Sequence, residues 1–277
     1  MVRLIIILAA VYLVFELLLT LALRCRSGNP GWKKLLGFRY AHRGLHNKPQ
    51  IPENSLPAFR RAIERGYGAE LDVHLLKDGT LAIFHDSKLE RCTGEEGILE
   101  DLTLEEMKRL RLEGTDEQIP LFDEVLALFE GVAPLIIELK AYGGNQKALT
   151  QAVLARLASY RGDYCIESFD PLVLMEVRRL RPDIVRGQLS QSFYREKHGL
   201  SLIQQVIGTN CLLNFKTQPD FIAYKFSERS NRCVRRCIGI WGAREASWTI
   251  RTPEELAACE REGCIPIFEQ FDPGPRA

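Results

Sequence analysis

The stretch "AHRGLHNKPQIPENSLPAF", residues 41–59, overlaps the end of a short apolar run (FRYAH, 38–42) and leads into a helix-period segment at 55–65. A strand that hands over to a helix through a loop begins either a doubly wound open sheet or a (β/α)8 barrel. The open sheet would place a Gly-rich phosphate loop directly after its first strand, and "HRGLHNKPQ" is not one. The barrel gathers its chemistry-bearing side chains at the C-terminal ends of its strands. His42 and Arg43 stand at such an end. They are an unusual choice for packing and a sensible one where an anion must be held and protonated.

The rest of the chain repeats the alternation. Strand-like runs fall at 69–74, 135–140, 164–169, 184–189, 221–225, 245–250 and 264–268, which with 38–42 makes eight. Helix-period segments lie between most of them, at 55–65, 121–130, 146–159, 171–180, 229–238 and 253–262. Asp170-Pro171 and Thr252-Pro253 place proline at a first helical position. The pattern predicts a TIM barrel over residues 36–277. Residues 70–86 read as a hairpin with Asp78-Gly79 at its tip. An acidic, helix-prone insertion at about 87–118 follows and forms a small cap on the catalytic rim.

A net charge of +1, 46% apolar and 26% charged residues are ordinary globular values. With no zinc-finger spacing and no basic bias, a nucleic-acid partner is not expected. The eight cysteines form no CxxC pairs, which suits a reducing compartment better than a disulfide framework.

Residues 4–23 are 20 apolar-rich residues with Glu16 as their only charge, long enough at about 1.5 Å per residue to cross a bilayer core. We expect residues 1–26 to be a transmembrane anchor and 27–35 (SGNPGWKKL) a linker. A cleaved signal peptide is the competitor, but no A-x-A-like site follows. A lipoprotein signal ending at Cys25 is disfavoured by Arg24. Arg24, Arg26, Lys33 and Lys34 crowd after the span against Arg3 before it, which predicts a single-pass cell-membrane protein with its large domain facing the cytoplasm.

Period-two alternation places Glu70, Asp72 and His74 on one strand face, and Glu138 with Lys140 on another. Carboxylates at this spacing are costly to bury without a counter-charge. Three of them (Glu70, Asp72, Glu138) converging in a barrel mouth would make an oxygen-rich site for Mg²⁺ or Ca²⁺. Nothing supplies the Cys/His cluster that zinc prefers. The hairpin returns His85 toward Asp72, and His42 ends the neighbouring strand. Two histidines flanking a metal site can divide acid and base roles, with Arg43 and Lys140 as phosphate holders.

These pieces resemble the glycerophosphodiester phosphodiesterase family, as a membrane-anchored bacterial-type member. The matching segments are "AHRG" (41–44), "PENSLPAF" (52–59), "ELDVHLLKDG" (70–79), "FHD" (84–86), "IELK" (137–140), "ESFDP" (167–171) and "SWTI" (247–250). The resemblance implies a metal-dependent TIM-barrel hydrolase that releases glycerol 3-phosphate and an alcohol. It implies His42 and His85 as acid and base, and Glu70, Asp72 and Glu138 as metal ligands. Arg43 and Lys140 would contact phosphate, Glu53 would shape the substrate site and Trp248 would line the glycerol pocket. The closing "PIFEQFDPGPRA" departs from the family pattern and leaves the C-terminal wall of the pocket open. Anchoring makes the expected substrate a glycerophosphodiester or a lysophospholipid, the latter a lysophospholipase D reaction. A membrane-bound module without turnover is the rival from another class. Outside the site, the expectations are bland. His46 and His74 read as loop and hairpin surface, His198 as a solvated loop residue, and Asn54 as the N-cap of the first barrel helix. Arg229, Arg232, Arg235 and Arg236 read as a solvated helix face.

Overall fold

The computed structural model describes residues 1–194 and 199–274, so the expectation for His198 lies outside the described residues. Nine strands form one sheet: β1 (Tyr40–Ala41), β2 (Gly68–Leu75), β3 (Leu81–Ile83), β4 (Leu135–Leu139), β5 (Tyr164–Ser168), β6 (Arg186–Ser190), β7 (Phe221–Lys225), β8 (Arg244–Ile250) and β9 (Ile265–Phe268). All but β3 are parallel, and β1 closes the ring by pairing with both β2 and β9. The result is the expected eight-stranded parallel barrel. β3 lies antiparallel on β2 as the return arm of the hairpin, with Gly79 at φ +87° in its turn.

The helices are α1 (Val2–Ala22), α2 (Trp32–Leu35), α3 (Leu56–Glu64), α4 (Glu90–Thr93), α5 (Leu104–Met107), α6 (Phe122–Phe129), α7 (Gln146–Leu157), α8 (Pro171–Leu180), α9 (Leu202–Thr209), α10 (Asn214–Thr217), α11 (Arg232–Trp241) and α12 (Pro253–Arg261). α4 and α5 belong to the expected insertion. Its Leu89, Cys92, Leu99, Met107 and Leu112 bury against Leu76 and Phe84 of the hairpin, so the cap has a small core of its own. Sequence periodicity gave no helix between β6 and β7, where α9 and α10 lie. The signal was a capping box, Ser201 with Gln204, that opens α9.

Alternation along the strands sorts side chains into layers. Ala69, Leu71, Val73, Leu135, Ile137, Leu139 and Ile166 face outward and pack under the helices. Ile136 and Cys165 face inward with Tyr40, Phe221, Ala246, Ile265 and Ile267, filling the lower barrel. Space there is tight. A Cβ on Gly187 would lie 2.2 Å from the Phe221 ring. Two residues further along β4 and β5, the inward positions are Glu138 and Glu167, so an apolar floor supports an acidic upper layer.

The segment expected to be a linker has structure. α2 carries Trp32 and Leu35 into the lower core, with the Trp32 ring 5.1 Å from Phe221, and the Tyr40 hydroxyl donates to the Leu35 carbonyl at 2.9 Å. The expected anchor also reaches the barrel. Leu23 and Cys25 are buried beside Cys211, Ile222, Tyr224 and Cys237. Glu16 pairs with Arg236 at 2.6 Å, and the Trp241 indole donates to the Thr20 carbonyl. Residues 2–15 remain exposed. The arginines expected to be solvated are partly paired: Arg236 with Glu16, Arg235 with Glu245 and Arg229 with Glu262.

Candidate active site

The site begins where β1 ends. The chain reverses through Arg43 (φ +56°) and Gly44 (φ +79°), and a Cβ on Gly44 would meet Ala58 at 2.8 Å, so glycine lets the turn lie flat on α3. The turn points the Arg43 amide at Glu70 Oε2 (3.0 Å) and its guanidinium at Glu53 (2.8 Å). Asn54 also sits at positive φ (+52°). It donates to Asp72 Oδ2 at 2.8 Å, and the N-cap expected of it belongs to Ser55, whose hydroxyl accepts from the Ala58 amide. Left-handed positions cost non-glycine residues about 1–3 kcal/mol, and here that strain aims two side chains at one centre.

The centre is acidic. Register places Asp72 beside Glu138 and Glu138 beside Glu167. Glu70, Asp72 and Glu138 are buried, with one oxygen from each lying within 4.8 Å of the others. Burial, together with the charges of Asp72 and Glu138, pushes the Glu70 carboxyl well above its usual range. Burial likewise raises Glu138 to about 7 although Lys140 opposes the shift, and burial beside Glu138 raises Glu167. Asp72 is buried too, but Lys140, His85, Arg43 and Asn54 together hold it low. Lys140 Nζ lies 3.1 Å from Glu138 and 3.4 Å from Asp72, whose Oδ1 accepts no hydrogen bond.

Three hard oxygen donors, one of which (Asp72 Oδ1) accepts no hydrogen bond and meets only the Lys140 ammonium at 3.4 Å, fit a divalent cation such as Mg²⁺ or Ca²⁺. A second acidic group, Glu53, Cys92 and Glu113, does not fit one. Glu53 already meets Arg43, Lys48 and Arg91, and Lys48 bridges to Glu113 at 2.8 Å. With its oxygens taken by three cations, Glu53 aims Arg43 and does not itself present toward a phosphate.

Two histidines flank the carboxylates. His42 Nδ1 is 2.6 Å from Glu269 and its Nε2 is 3.9 Å from Glu70. His85 follows Phe84, whose amide donates to the Asp72 carbonyl, and its Nδ1 is 2.5 Å from Asp86. Each ring is thus oriented by a carboxylate on Nδ1 and leaves Nε2 for chemistry. Burial lowers both rings, His85 to about 4 with Lys140 adding to the effect. A polar cavity of 720 Å³ opens over His42, Arg43, Glu53, Trp248 and Glu269. A smaller one of 240 Å³ opens over His85, Glu138 and Lys140.

All nine residues anticipated from the sequence therefore lie at one barrel mouth. Over residues 42–271 the chain matches the model of the glycerophosphoryl diester phosphodiesterase family. The chain belongs to that family. A glycerophosphodiester phosphodiesterase of Caldanaerobacter subterraneus subsp. tengcongensis is 36% identical over 163 residues, 54% of this chain and 65% of the relative. One from Bacillus altitudinis is 46% identical over 96 residues, 32% and 38% respectively. The matched stretches thus cover less than two thirds of either relative. An Oleispira antarctica phosphodiesterase, solved with the product sn-glycerol-3-phosphate, superposes with a TM-score of 0.70 at 24% identity, over 86% of this chain and 94% of that one. A Thermotoga maritima glycerophosphodiester phosphodiesterase superposes with a TM-score of 0.62 at 25% identity, over 84% and 94%.

Within this family member, several site groups were not anticipated. Glu269 lies in the C-terminal run that departs from the expected pattern, yet it follows β9 directly, next to β1, and its signal in sequence is a carboxylate at a strand end. Glu167 sits in "ESFDP", two residues beyond inward-facing Cys165. His74 is not surface. It is buried with Nδ1 2.6 Å from Glu100 and Nε2 3.3 Å from the His85 carbonyl, which ties the hairpin to the cap. His46, expected in a loop, lines the larger cavity, and burial lowers it to about 4.

The like charges predict a stability signature. Glu138 has a folded value of about 7 against 4.5 for an isolated glutamate. The stability its protonated form contributes is complete below about pH 4.5 and is lost as pH rises through about 7. In metal-free protein, Glu138→Gln should therefore match wild type near pH 5 and gain an increasing Tm advantage toward pH 8. Adding Ca²⁺ or Mg²⁺ at pH 8 should raise the wild-type Tm and leave the variant's nearly still. A Tm difference independent of pH would contradict the repulsion.

Proposed function

We propose that this protein hydrolyses glycerophosphodiesters to glycerol 3-phosphate and an alcohol. The observation that carries this reading is the placement of His42 and His85, each with Nδ1 fixed by a carboxylate, on either side of Glu70, Asp72 and Glu138. The family and the names of its relatives give the reaction class, and the product bound to the Oleispira enzyme agrees with it.

Glu70, Asp72 and Glu138 would hold the divalent cation. When bound, that ion neutralises phosphodiester charge and acidifies a nucleophilic oxygen. Arg43, steadied by Glu53, and Lys140 at 17% exposure present positive charge to the phosphate from the protein side. The nucleophile is water or the glycerol 2-hydroxyl. One histidine takes its proton at Nε2, and the other, entering as the imidazolium with its Nδ1–H on its carboxylate, gives its Nε2 proton to the oxygen of the departing alcohol as the P–O bond breaks. When the 2-hydroxyl attacks, water opens the cyclic phosphate by the same pair acting in reverse. Glu269 acts through His42 as a positioning residue, and Asp86 acts likewise through His85. Trp248 walls the glycerol side.

We further place α1 in the cell membrane with the barrel on the cytoplasmic side. The helix is 21 residues long with a mean hydropathy of 2.7. The burial of Leu23 and Cys25 in the barrel supports a retained helix over a cleaved one. All eight cysteines are free, which suits the cytoplasm. In intact spheroplasts an external protease should leave the barrel whole, and digestion of the barrel there would reverse the orientation.

The activity test uses the full chain with glycerophosphocholine and glycerophosphoethanolamine, following released glycerol 3-phosphate. Chelator should abolish release, and Mg²⁺ or Ca²⁺ should restore it. His42→Ala and His85→Ala should each lower kcat/KM about 10²–10⁴-fold. Glu269→Gln should lower kcat more than it raises KM and displace the pH profile. Undiminished turnover in chelator, or a His42→Ala loss of no more than about threefold, would refute the mechanism.

A further inference from the structure

The direction of α1 fixes which face of the barrel meets the membrane. α11 follows β7, so it starts at the catalytic mouth with Arg232 and runs back to the floor, where Gly242 precedes β8. The chain through α1 keeps the same sense. Glu16 pairs with Arg236 partway down α11, and the Thr20 carbonyl accepts from the Trp241 indole. Leu23 packs with Cys237 and Ile222, and Ser27 lies 3.4 Å from where a Cβ on Gly242 would stand. Arg26 ends the descent on Asp220, just before β7 begins. Residues before Glu16 therefore project past the mouth, on the side where the barrel carries His42, His85 and the three carboxylates.

Only part of α1 is free to enter a bilayer. Residues 2–15 are exposed, whereas Glu16, Leu19 and Thr20 turn toward the barrel. About 14 residues at about 1.5 Å each reach about 21 Å, short of a hydrocarbon core of about 30 Å. The rest of the distance comes from the barrel approaching the membrane, because a short span draws its flanks toward the core. A face lying in the interface buries about 5–10 Å of its depth, which matches the gap of about 9 Å.

The rim of the mouth has the side chains for it. The segments after β4, β5 and β6 expose Tyr142, Leu172, Tyr194, Leu202 and Ile203. Leu202 and Ile203, at 76% and 72% exposure, open α9. Cys211, just after α9, and Cys237 of α11 both pack beside Leu23, so α1 rises between the two helices. On the α11 side, Arg232 is exposed in the first turn. The apolar rim is thus continuous with the apolar surface of α1 and flanked by positive charge, the composition of a surface that lies in a lipid interface. At the floor, Leu36 and Val132 are exposed on separate loops and form no such rim.

We propose that the barrel sits with its catalytic mouth against the bilayer, the rim of Leu172, Tyr194, Leu202 and Ile203 seated at the boundary between headgroups and acyl chains. The inference rests on the membrane placement of α1 and adds which face of the barrel the membrane covers. The occupant of the rim is lipid. The catalytic mouth then opens at headgroup depth, and the floor with α2 points away into the cytoplasm.

The test uses the full chain reconstituted in phosphatidylcholine vesicles. Leu202→Trp and Ile203→Trp each put an indole on the rim, and Val132→Trp puts one on the floor, all at positions more than half exposed. The two rim variants stand in for each other should one fail to fold. Fluorescence of each, less that of the wild type, is compared in vesicles with and without phosphatidylcholine brominated on the acyl chain near the glycerol, which quenches indoles that touch it. We expect the rim indoles to be quenched at least about threefold more than the floor indole. Rim indoles no more quenched than the floor one, in protein that floats with the vesicles, would overturn the proposal and leave the membrane placement of α1 standing. Quenching of the floor indole alone would reverse the orientation and overturn it too. Rim emission shifted to the blue without bromine quenching would put a second copy of the chain on the rim in place of lipid, again against the proposal. Protein that does not float with the vesicles at all would remove the membrane placement and this inference with it, while the phosphodiesterase reading stands on its own assay.

Discussion

Three carboxylates buried within 4.8 Å of one another cannot all be ionised without positive charge among them. That requirement organises the upper half of the barrel. Lys140 stands between Asp72 and Glu138, the Arg43 amide turns back to Glu70, and Asn54 donates to Asp72. These contacts still leave Glu70 and Glu138 raised and one oxygen of Asp72 without a hydrogen bond. Three hard oxygen donors in this state fit a divalent cation. The apolar floor of Tyr40, Ile136, Cys165 and Phe221 keeps water from relieving the repulsion from below.

Around the centre, the two histidines and Arg43 are each held by a carboxylate. Glu269 and Asp86 fix the two histidine rings, and Glu53 fixes Arg43. Glu53 also gathers Lys48 and Arg91, so the cap after the hairpin is stitched to the first barrel loop through one carboxylate. His74 and Glu100 do the same on the other side of the hairpin. Site and cap are thus one electrostatic unit. Moving the cap would disturb Arg43 and His85 together.

The parts legible in sequence were those written in local periodicity. Alternation fixed which faces of β2 and β4 carry Glu70, Asp72 and Glu138, and Asp78-Gly79 marked the hairpin that returns His85. The parts that escaped depend on contacts between distant segments. Glu269 is one carboxylate near the C-terminus until β9 pairs with β1 and brings it to His42. Asn54 looks like a cap because caps are local, whereas its bond to Asp72 spans the first barrel loop. Trp32 sits in a Gly/Pro-rich stretch that reads as a linker, and only ring closure creates the floor it plugs. α9 shows no clear helical stripe in sequence because its exposed side, Leu202 and Ile203, is apolar as well.

The most direct test of the account is to locate the cation. Crystals of the protein soaked in Mn²⁺, as a visible surrogate for Mg²⁺ and Ca²⁺, should give a single strong anomalous peak within about 2.0–2.6 Å of oxygens from Glu70, Asp72 and Glu138. The peak should vanish in Glu70→Gln crystals. An ion settled instead among Glu53, Cys92 and Glu113, or no ion at either place, would contradict the claim that these three carboxylates form the metal centre.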